Sequence, residues 1–361
     1  MQRLVAEAAA SVIRRADRAH PADAVLRSEL RDAERLSPAQ RSEVARAVFD
    51  YYRWFGWLEP RASLREQLQR AADLARKFSE APSKFRDDEL VQRAVPGWLA
   101  QFMDITPAFA HALQAPPKLW LRARRGQGTA LAQRLDAARP SDTVDDAVEY
   151  FGKEDLFRHP GFKNGEFEIQ DISSQMVGRI ADPQPGQAWW DACAGEGGKL
   201  LHLSELMGNK GLIWASDRAA WRLEKLKRRT ARARVFNYRA APWDGSAKLP
   251  TRTKFDGILV DAPCSGVGTW RRNPHARWTT TPEDVRELSG VQRELLANVL
   301  PGLKRGGRLV YAVCTLTRPE TAEATEAFGG EHPELKWVST SWLLPEEIAG
   351  NGMFVAVWER G

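Results

Sequence analysis

The spacing of apolar residues changes along the chain, and the change predicts a helical part followed by an α/β part. Up to about residue 105, apolar positions recur at helical spacing, and Ser37 followed by Pro38 is a typical helix start. From Lys118, apolar and basic residues alternate as in a half-exposed strand, before a helix over 129–138. We therefore expect an all-α domain over residues 1–110 and a small α/β domain over residues 111–165.

Beyond residue 165, short apolar runs alternate with amphipathic helical stretches, which is typical of a doubly wound, mostly parallel α/β sheet. The runs that we interpret as its strands are 188–191, 212–217, 234–238, 257–260 and 307–313. Two further segments, 335–342 and 354–358, predict a hairpin-like pair that closes the sheet. This pattern predicts a Rossmann-like third domain over residues 166–361.

Chemically useful side chains follow two of these predicted strands. Asp261 and Cys264 come directly after the strand 257–260, and Cys314 follows the strand 307–313. Ligands bind at the carboxyl ends of parallel strands, and the fourth and fifth strands of the usual doubly wound order are neighbours. The two cysteines are therefore expected to face one pocket.

A glycine-rich loop follows the first strand of the predicted sheet. It consists of Cys193, Ala194, Gly195, Glu196, Gly197, Gly198 and Lys199. The next strand ends at Asp217, near the interval at which a dinucleotide fold presents a carboxylate to ribose hydroxyls. The loop lacks the Ser or Thr of a triphosphate-binding loop, so a nucleoside cofactor without a triphosphate suits it better. Asp244 follows the third strand and is either an adenine contact or a turn residue.

Several basic and aromatic segments have two interpretations each. The cluster over 51–57 is either a surface that stacks on RNA bases or the core of a helical bundle. Arg122, Arg124 and Arg125 form either a phosphate-contacting surface or a solvated edge. The basic helix over 222–234 is a solvated or an RNA-facing helix. The Arg- and Trp-rich loop 270–278 is predicted to lie beside the pocket and to hold an unpaired base.

Composition narrows the class of protein. The 361 residues carry a formal charge of +6, a moderate preference for polyanions such as RNA. The sequence shows no apolar run long enough for a membrane span and no signal peptide, so a cytoplasmic protein is expected. Its three cysteines lack paired CxxC spacing, which argues against a disulfide framework and against a zinc or other metal site.

Four segments together resemble the Sun/Nop family of S-adenosylmethionine-dependent RNA (cytosine-5) methyltransferases. They read DACAGEGGK, DAPCSGVGTWRRNP, KRGGRLVYAVCTL and GMFVAVW, and the resemblance covers about residues 115–361. Residues 1–105, with LSPAQRSEVARAVF and YYRWFGWL, are similar to the NusB-type helical RNA-binding domain that precedes bacterial ribosomal-RNA members of the family. The resemblance implies a class I methyltransferase sheet with S-adenosyl-L-methionine as cofactor and RNA as partner.

The resemblance also implies roles for individual residues. Cys314 is expected to be the nucleophile that adds to carbon 6 of cytosine, and Cys264 to help release the product. Asp261 is expected to hydrogen-bond the base. The residues expected to line the cofactor site are Cys193, Ala194, Gly195, Glu196, Gly197, Gly198, Lys199, Asp217, Asp244 and Asp261.

Two departures from the family pattern keep alternatives open. Gly195-Glu196 stands where Ala-Pro is usual, and Ala312-Val313-Cys314-Thr315 stands where Ser-Thr-Cys-Ser is usual. Glu196 favours the alternative that the chain is an inactive RNA-binding assembly factor on the same fold. Ribosomal RNA is the favoured substrate and transfer RNA the runner-up, and a monomer is expected. The Pro-Cys thiol is the nucleophile of DNA cytosine methyltransferases, which need no second thiol, so that class is disfavoured.

Overall fold

The computed structural model describes residues 2–33 and 35–361 and divides into two compact units. Residues up to Pro117 together with Gly266–Asp284 form a helical unit, and Lys118–Ser265 together with Val285–Gly361 form an α/β unit. These units differ from the three predicted domains in two ways. The small α/β segment belongs to the same unit as the large sheet, and one segment of the predicted third domain belongs to the helical unit. Among the described residues, no helix has both the length and the apolar character needed to cross a membrane.

Two helices of the helical unit start at a serine cap. Ser37 and Ser63 each accept a hydrogen bond from the backbone N–H three residues later, whose own side chain bonds back to the serine N–H. The helices are α1 (Arg3–Arg15), α2 (Ala22–Asp32), α3 (Pro38–Arg53), α4 (Leu64–Glu80), α5 (Asp87–Arg93) and α6 (Pro107–Gln114), with 3₁₀ turns at Phe55–Trp57, Pro82–Lys84 and Gly97–Gln101.

The aromatic cluster over 51–57 is part of the core of this unit. Tyr51, Tyr52, Trp54 and Trp57 are buried, and only Phe55 of the cluster is substantially exposed. Trp54 packs edge-on against Trp57, with ring centroids 5.0 Å apart. The interpretation as an RNA-stacking surface is therefore wrong for the four buried rings, because a base cannot reach them.

A small antiparallel sheet opens the α/β unit. Its elements are β1 (Leu119–Ala123), α7 (Gly128–Arg134), β2 (Ala138–Pro140), β3 (Ala147–Tyr150), α8 (Pro160–Lys163) and β4 (Phe167–Ile169), in the strand order β2-β3-β1-β4. Arg122 is buried within it, and Arg124 donates hydrogen bonds to the carbonyls of Gly165 and Ala233. The interpretation of these three arginines as a phosphate-contacting surface is therefore wrong, since Arg122 is buried and Arg124 bonds backbone carbonyls within the fold.

The large sheet has the predicted doubly wound arrangement. Its strands are β5 (Ala188–Asp191), β6 (Leu212–Asp217), β7 (Tyr238–Pro242), β8 (Phe255–Asp261), β9 (Leu303–Val313), β10 (Leu335–Leu343) and β11 (Met353–Arg360), in the order β10-β11-β9-β8-β5-β6-β7. The pairs from β9 through β7 are parallel, and β11 pairs antiparallel with both β9 and β10. The α/β fold with a mostly parallel Rossmann-like sheet is thus confirmed.

Helices cover both faces of the large sheet. They are α9 (Ile172–Ala181), α10 (Gly198–Leu206), α11 (Ala220–Arg232), α13 (Pro282–Val299), α14 (Ala322–Glu331) and α15 (Pro345–Ile348). The short helix α12 (Ala276–Thr279) and the first three residues of α13 belong to the helical unit. Along β8, Leu259 packs with α9 to α11 while Ile258 and Val260 pack with α13 and α14. Burial on both faces explains why the central strands are continuous apolar runs.

The third strand, β7, lies four residues later than predicted. Arg234 adopts a left-handed backbone conformation with φ of 55°, and the N–H of Val235 donates to the carbonyl of Thr230. This turn ends α11 and delays the strand to Tyr238. The apolar residues that suggested a strand over 234–238 therefore lie partly in a helix-terminating turn.

The segment Gly266–Asp284 lies in the helical unit, although the sequence prediction put its Arg- and Trp-rich loop beside the pocket. Trp270 and Arg277 are fully buried there. The Arg277 guanidinium donates hydrogen bonds to the carbonyls of Ala94 at 2.9 Å and of Leu113 at 3.0 Å. The prediction that this loop holds an unpaired base is wrong for these two side chains, because both are buried inside the helical unit and cannot contact a base.

Candidate active site

The carboxyl ends of five neighbouring strands, β9, β8, β5, β6 and β7, surround one cavity in the α/β unit. The chain leaves β5 to form β6 and β7 on one side, then returns to β8 on the other side of β5, which creates a crevice at the strand ends. A cavity of about 440 Å³ lies there, within the size range of small-molecule sites. The sequence folds in this way because the glycine-rich loop ends β5 and the loops after β6, β8 and β9 are polar.

Almost all of the predicted site residues line this cavity. They are Cys193, Ala194, Gly195, Glu196, Gly198, Lys199, Asp217, Asp244, Asp261, Cys264 and Cys314. Gly197 is the predicted residue that does not line it. Its φ is 86°, it precedes α10, and a Cβ there would lie 2.8 Å from Leu226 Cγ, so its role is to let the loop turn against α11.

The two cysteines meet as predicted. Cys264 Sγ and Cys314 Sγ lie 3.2 Å apart, within the distance of an S–H···S hydrogen bond, and the two residues are not joined by a disulfide. Cys264 follows β8 and Cys314 follows β9, and these strands pair in parallel with Asp261 opposite Ala312. The register of this pair therefore brings together two thiols that lie far apart in the sequence.

Lys199 and Asp261 form an ion pair within the cavity. Lys199 Nζ donates to Asp261 Oδ2 at 2.6 Å. Burial opposes the charge of the lysine, but the Asp261 carboxylate outweighs this effect, with a smaller contribution from Cys314, and the pKa of Lys199 is raised. The ammonium group is therefore a fixed positive charge that acts on both Asp261 and Cys314.

Asp217 connects the end of β6 to the glycine-rich loop. Its Oδ2 accepts a hydrogen bond from the N–H of Gly195 at 3.0 Å, and its Oδ1 accepts one from the N–H of Ala219 at 2.8 Å. Each carboxylate oxygen has a second lone pair, which leaves acceptor capacity for the hydroxyl groups of a ligand. Arg222 Nη1 lies 3.8 Å from Asp217 Oδ2 and balances its charge.

The charge of Glu196, which departs from the family pattern, is paired with a lysine on the neighbouring helix. Lys225 Nζ on α11 donates to Glu196 Oε1 at 2.7 Å, with both side chains about half exposed. Arg229 also donates to the backbone carbonyl of Glu196 at 3.3 Å. The negative charge that distinguishes this loop from the family pattern is thus neutralised by a cation on the neighbouring helix.

Two groups at the end of β5, the buried Asp191 and the partly buried Cys193, are held in their neutral forms. Burial, followed by the nearby Asp261 carboxylate, raises the pKa of Asp191 to about 8. Burial and the nearby carboxylates of Asp191 and Asp261 also raise the pKa of the Cys193 thiol. Cys193 is therefore an unreactive thiol that lines the cavity, in contrast to the pair formed by Cys264 and Cys314.

Several further residues of the cavity wall were not predicted from the sequence. They are Ser174, Ala192, Arg218, Arg222, Trp243, Gly245, Ala262, Pro263, Val291 and Leu295. Arg218 was detectable because it follows the strand-end Asp217 directly. Val291 and Leu295 had no local signal, since α13 is an amphipathic helix whose apolar face serves both core and cavity. Within the part of the chain that the structure describes, no cluster of three or more His, Cys, Asp or Glu residues suits a metal ion.

The chain is similar to known proteins, and a family model covers most of the site residues. Residues 179–357 match the family model described as 16S rRNA methyltransferase RsmB/F. The chain is 39% identical over 191 residues to a probable ribosomal RNA small subunit methyltransferase B from Synechocystis, with 52% of this chain and 42% of the relative covered. The corresponding probable enzyme of Bacillus subtilis is 36% identical over 243 residues, with 64% and 54% covered. The alignments thus span about half the length of these two relatives.

A longer alignment joins the chain to ribosomal RNA small subunit methyltransferase B of Serratia proteamaculans. It is 32% identical over 308 residues and covers 81% of this chain and 68% of the relative. Among solved structures, that of PH0851 has a TM-score of 0.79 at 22% identity, covering 99% of this chain and 97% of that one. A methyltransferase homologue from Pyrococcus horikoshii has a TM-score of 0.63 at 25% identity, covering 71% and 90%. The chain belongs to the RsmB/F family of 16S rRNA methyltransferases.

Proposed function

We propose that the chain is an S-adenosylmethionine-dependent RNA (cytosine-5) methyltransferase that acts on small-subunit ribosomal RNA. The observation that carries the proposal is a pair of thiols, 3.2 Å apart, in the same cavity as a glycine-rich loop and a strand-end carboxylate. Family membership supports the reaction class, and the names of the Bacillus and Serratia relatives support the substrate.

The residues at one end of the cavity fit S-adenosyl-L-methionine. Asp217 offers carboxylate lone pairs suited to ribose hydroxyls, and Trp243 offers an apolar surface next to Asp244. The turn of the loop at Gly195, where φ is 55°, keeps this wall free of bulky side chains. When bound, the cofactor supplies an electrophilic methyl group on a sulfonium sulfur. The related NSun6 structure from Pyrococcus horikoshii was solved with SFG.

Cys314 is the nucleophile in this proposal. Its thiolate adds to carbon 6 of the cytosine ring, and the electron pair displaced from the double bond makes carbon 5 nucleophilic. A cation near a cysteine favours its thiolate form, and the ammonium of Lys199 lines the same cavity as Cys314. Asp261 is about 30% exposed and keeps one oxygen beyond its bond to Lys199 for the polar edge of the base.

Cys264 serves the release of the product. After carbon 5 has gained the methyl group, its proton must leave and the bond between Cys314 and carbon 6 must break. Cys264 Sγ lies next to Cys314 Sγ, so it is placed beside the bond that breaks. The cytosine must be unpaired or flipped out of its helix to reach these thiols, which lie at the strand ends.

Two alternatives remain as outcomes of the test. Transfer RNA is the second candidate substrate, and it would be methylated by the same reaction. An inactive assembly factor is disfavoured by the pairing of Glu196 with Lys225, because the charge that suggested impaired cofactor binding is neutralised.

The proposal is tested by incubating the full chain with labelled S-adenosylmethionine and unmodified small-subunit ribosomal RNA or unmodified transfer RNA. Nucleosides are then identified by mass spectrometry. We expect 5-methylcytidine in the ribosomal RNA. Label in transfer RNA alone would show that transfer RNA, and not ribosomal RNA, is the substrate. Absence of label from both RNAs, together with no binding of the cofactor in a titration, would favour the inactive assembly factor.

A further inference from the structure

The loops that carry the two thiols meet at one buried carboxylate that sequence analysis did not single out. Glu320 closes a 3₁₀ turn at Arg318–Glu320, six residues after Cys314, and its side chain is 0% exposed. A buried carboxylate is costly unless hydrogen bonds compensate for the loss of water. The partners of Glu320 therefore show which parts of the fold it connects.

Hydrogen-bond donors from both thiol loops converge on Glu320. From the residue after Cys264, the N–H of Ser265 donates to Oε1 at 2.8 Å and the Ser265 hydroxyl donates to Oε2 at 2.5 Å. From the loop after Cys314, the hydroxyls of Thr315 and Thr317 donate to Oε2 at 3.2 Å and 2.7 Å. Hydrogen bonds to a carboxylate are shorter and stronger than those between neutral groups.

A second layer fixes the carboxylate to the core. Gln292 on α13 donates to Glu320 Oε1 at 3.0 Å and to the carbonyl of Pro263, immediately before Cys264, at 2.9 Å. The Tyr311 hydroxyl on β9 lies 2.7 Å from the Glu320 carbonyl and 2.9 Å from Gln292 Oε1. A buried polar network in which each group has a hydrogen-bond partner is rigid and favours a single geometry.

We propose that Glu320 is the positioning residue that holds Cys264 and Cys314 together in reactive register. It binds the residue after each thiol, yet it does not line the cavity, so it acts through the thiols and not on the substrate. The role of the thiols in methyl transfer rests on the proposed function, whereas the distance between them is a feature of the structure itself. A misplacement of about 1 Å at a reacting group costs about 100-fold in rate, which makes the spacing consequential.

The first test measures the spacing without any methylation assay. Phenylarsine oxide binds two neighbouring thiols through two As–S bonds, with loss of one water, and the second bond benefits from high effective concentration. The probe is titrated against the wild type, Glu320→Ala, Glu320→Gln and the single-thiol baseline Cys264→Ala. We expect Glu320→Ala to lose at least about tenfold in affinity and to approach the baseline.

Glu320→Gln separates the loss of charge from the loss of contacts. Oε1 faces two N–H donors, while Oε2 faces hydroxyls, which can rotate to accept from an amide. The glutamine variant should therefore bind the arsenical more tightly than Glu320→Ala. Glu168→Gln is the matched control, because Glu168 is also a buried carboxylate of the same unit and its side chain accepts hydrogen bonds from Arg229 and Arg232, away from the thiol loops.

The second test follows turnover in the same variants. We expect Glu320→Ala to lower kcat by about 100-fold with little change in KM for S-adenosylmethionine, because the cofactor loop is not part of the network. If Glu320→Ala does not fold, Thr317→Val and Ser265→Ala each remove one contact and should lower arsenical affinity and kcat in parallel.

The proposal would be overturned if a folded Glu320→Ala protein bound phenylarsine oxide as tightly as the wild type does. It would also be overturned if the wild type bound the arsenical no more tightly than Cys264→Ala does. A loss of affinity equal to that of Glu168→Gln would also overturn it, since the effect would then be general to buried acids. If no RNA is methylated by the wild type, the proposed function fails, while the arsenical titration still decides the role of Glu320.

Discussion

Lys199 places one positive charge beside both the acid of the site, Asp261, and one of its thiols, Cys314. Its ammonium bonds Asp261 at 2.6 Å and interacts electrostatically with Cys314. Such a preorganised charge stabilises a thiolate and orients the carboxylate before the substrate arrives. Lysine on a flexible stem is able to serve both partners because it is a compact point charge.

Replacing Lys199 by methionine should lower kcat by about 100-fold, because the thiolate loses its stabilising charge and Asp261 loses its partner. The measurement is single-turnover methyl transfer at saturating cofactor. Lys227→Met is the control, since Lys227 is exposed on α11 and pairs with Glu224 on the same helix, not with a residue of the cavity. Unchanged kcat in Lys199→Met would remove the lysine from the account of catalysis.

Asp191 makes stability depend on pH in an unusual direction. Burial and the Asp261 carboxylate raise its pKa to about 8 in the folded state. Between the ordinary pKa of an aspartate and about 8, the folded protein therefore holds one proton more than the unfolded chain. Stability from this group is present at low pH and is lost as the pH rises through this window, by about 1.4 kcal/mol per pH unit.

Asp191→Asn should remove this dependence and raise the free energy of unfolding at pH 8 relative to the wild type. Denaturant unfolding of both proteins at pH 5, 6, 7 and 8 is the measurement, with the exposed Asp136→Asn as control. Identical pH slopes for the wild type and Asp191→Asn would show that the buried carboxyl does not take up this proton.

At the residue scale, position relative to a strand end was the informative signal. Cys264, Cys314 and Asp261 could be assigned to one site because parallel strands present their carboxyl ends together. The pairing of Lys199 with Asp261 and the convergence on Glu320 could not be predicted, because each depends on distances between elements that are remote in sequence. The charge of Glu196 was visible, whereas its partner Lys225 on the next helix was not.

At the scale of elements, the segment Gly266–Asp284 shows how a buried arginine organises backbone. The guanidinium of Arg277 is 0% exposed and bonds the carbonyls of Arg53, Ala94, Leu113 and Trp270. Burial, together with the nearby Arg53 guanidinium, lowers the pKa of Arg277 to about 9. The planar fork of donors satisfies carbonyls that helices and turns leave without intrahelical partners.

Arg277→Met should lower the free energy of unfolding of the helical unit by about 3 kcal/mol, because buried carbonyls lose their donor. Denaturation of the full chain followed by circular dichroism measures the loss. Arg272→Met in the same segment is the control, since Arg272 is only partly buried and should change stability by less than about 0.5 kcal/mol. Equal stabilities of the two variants would contradict the anchoring role.

The strands were more predictable than the loops for a physical reason. Continuous apolar runs arise where a strand is buried on both faces, and β5, β6, β8 and β9 were found close to their predicted positions. An Arg- and Trp-rich segment has the same composition whether it faces RNA or a protein core. The loop 270–278 and the cluster over 51–57 were therefore open to misinterpretation, since composition alone does not reveal burial.

At the scale of the whole molecule, the two units are interleaved in sequence. The chain leaves the α/β unit after Ser265 and re-enters it at Val285. Prediction from sequence divides a chain into consecutive blocks, so it placed the segment Gly266–Asp284 with the sheet that flanks it on both sides. The prediction placed the first boundary at residue 110, whereas the first segment of the helical unit ends at Pro117, the last of the prolines in this region.

The central claim is that the two thiols divide the reaction between them, with Cys314 attacking and Cys264 releasing. Its most direct test is a denaturing gel of the wild type, Cys264→Ala and Cys314→Ala after incubation with labelled small-subunit ribosomal RNA and S-adenosylmethionine. We predict a persistent protein–RNA adduct with Cys264→Ala, turnover without a persistent adduct for the wild type, and neither adduct nor 5-methylcytidine with Cys314→Ala. Full turnover by Cys314→Ala, or a persistent adduct formed by it, would contradict the account.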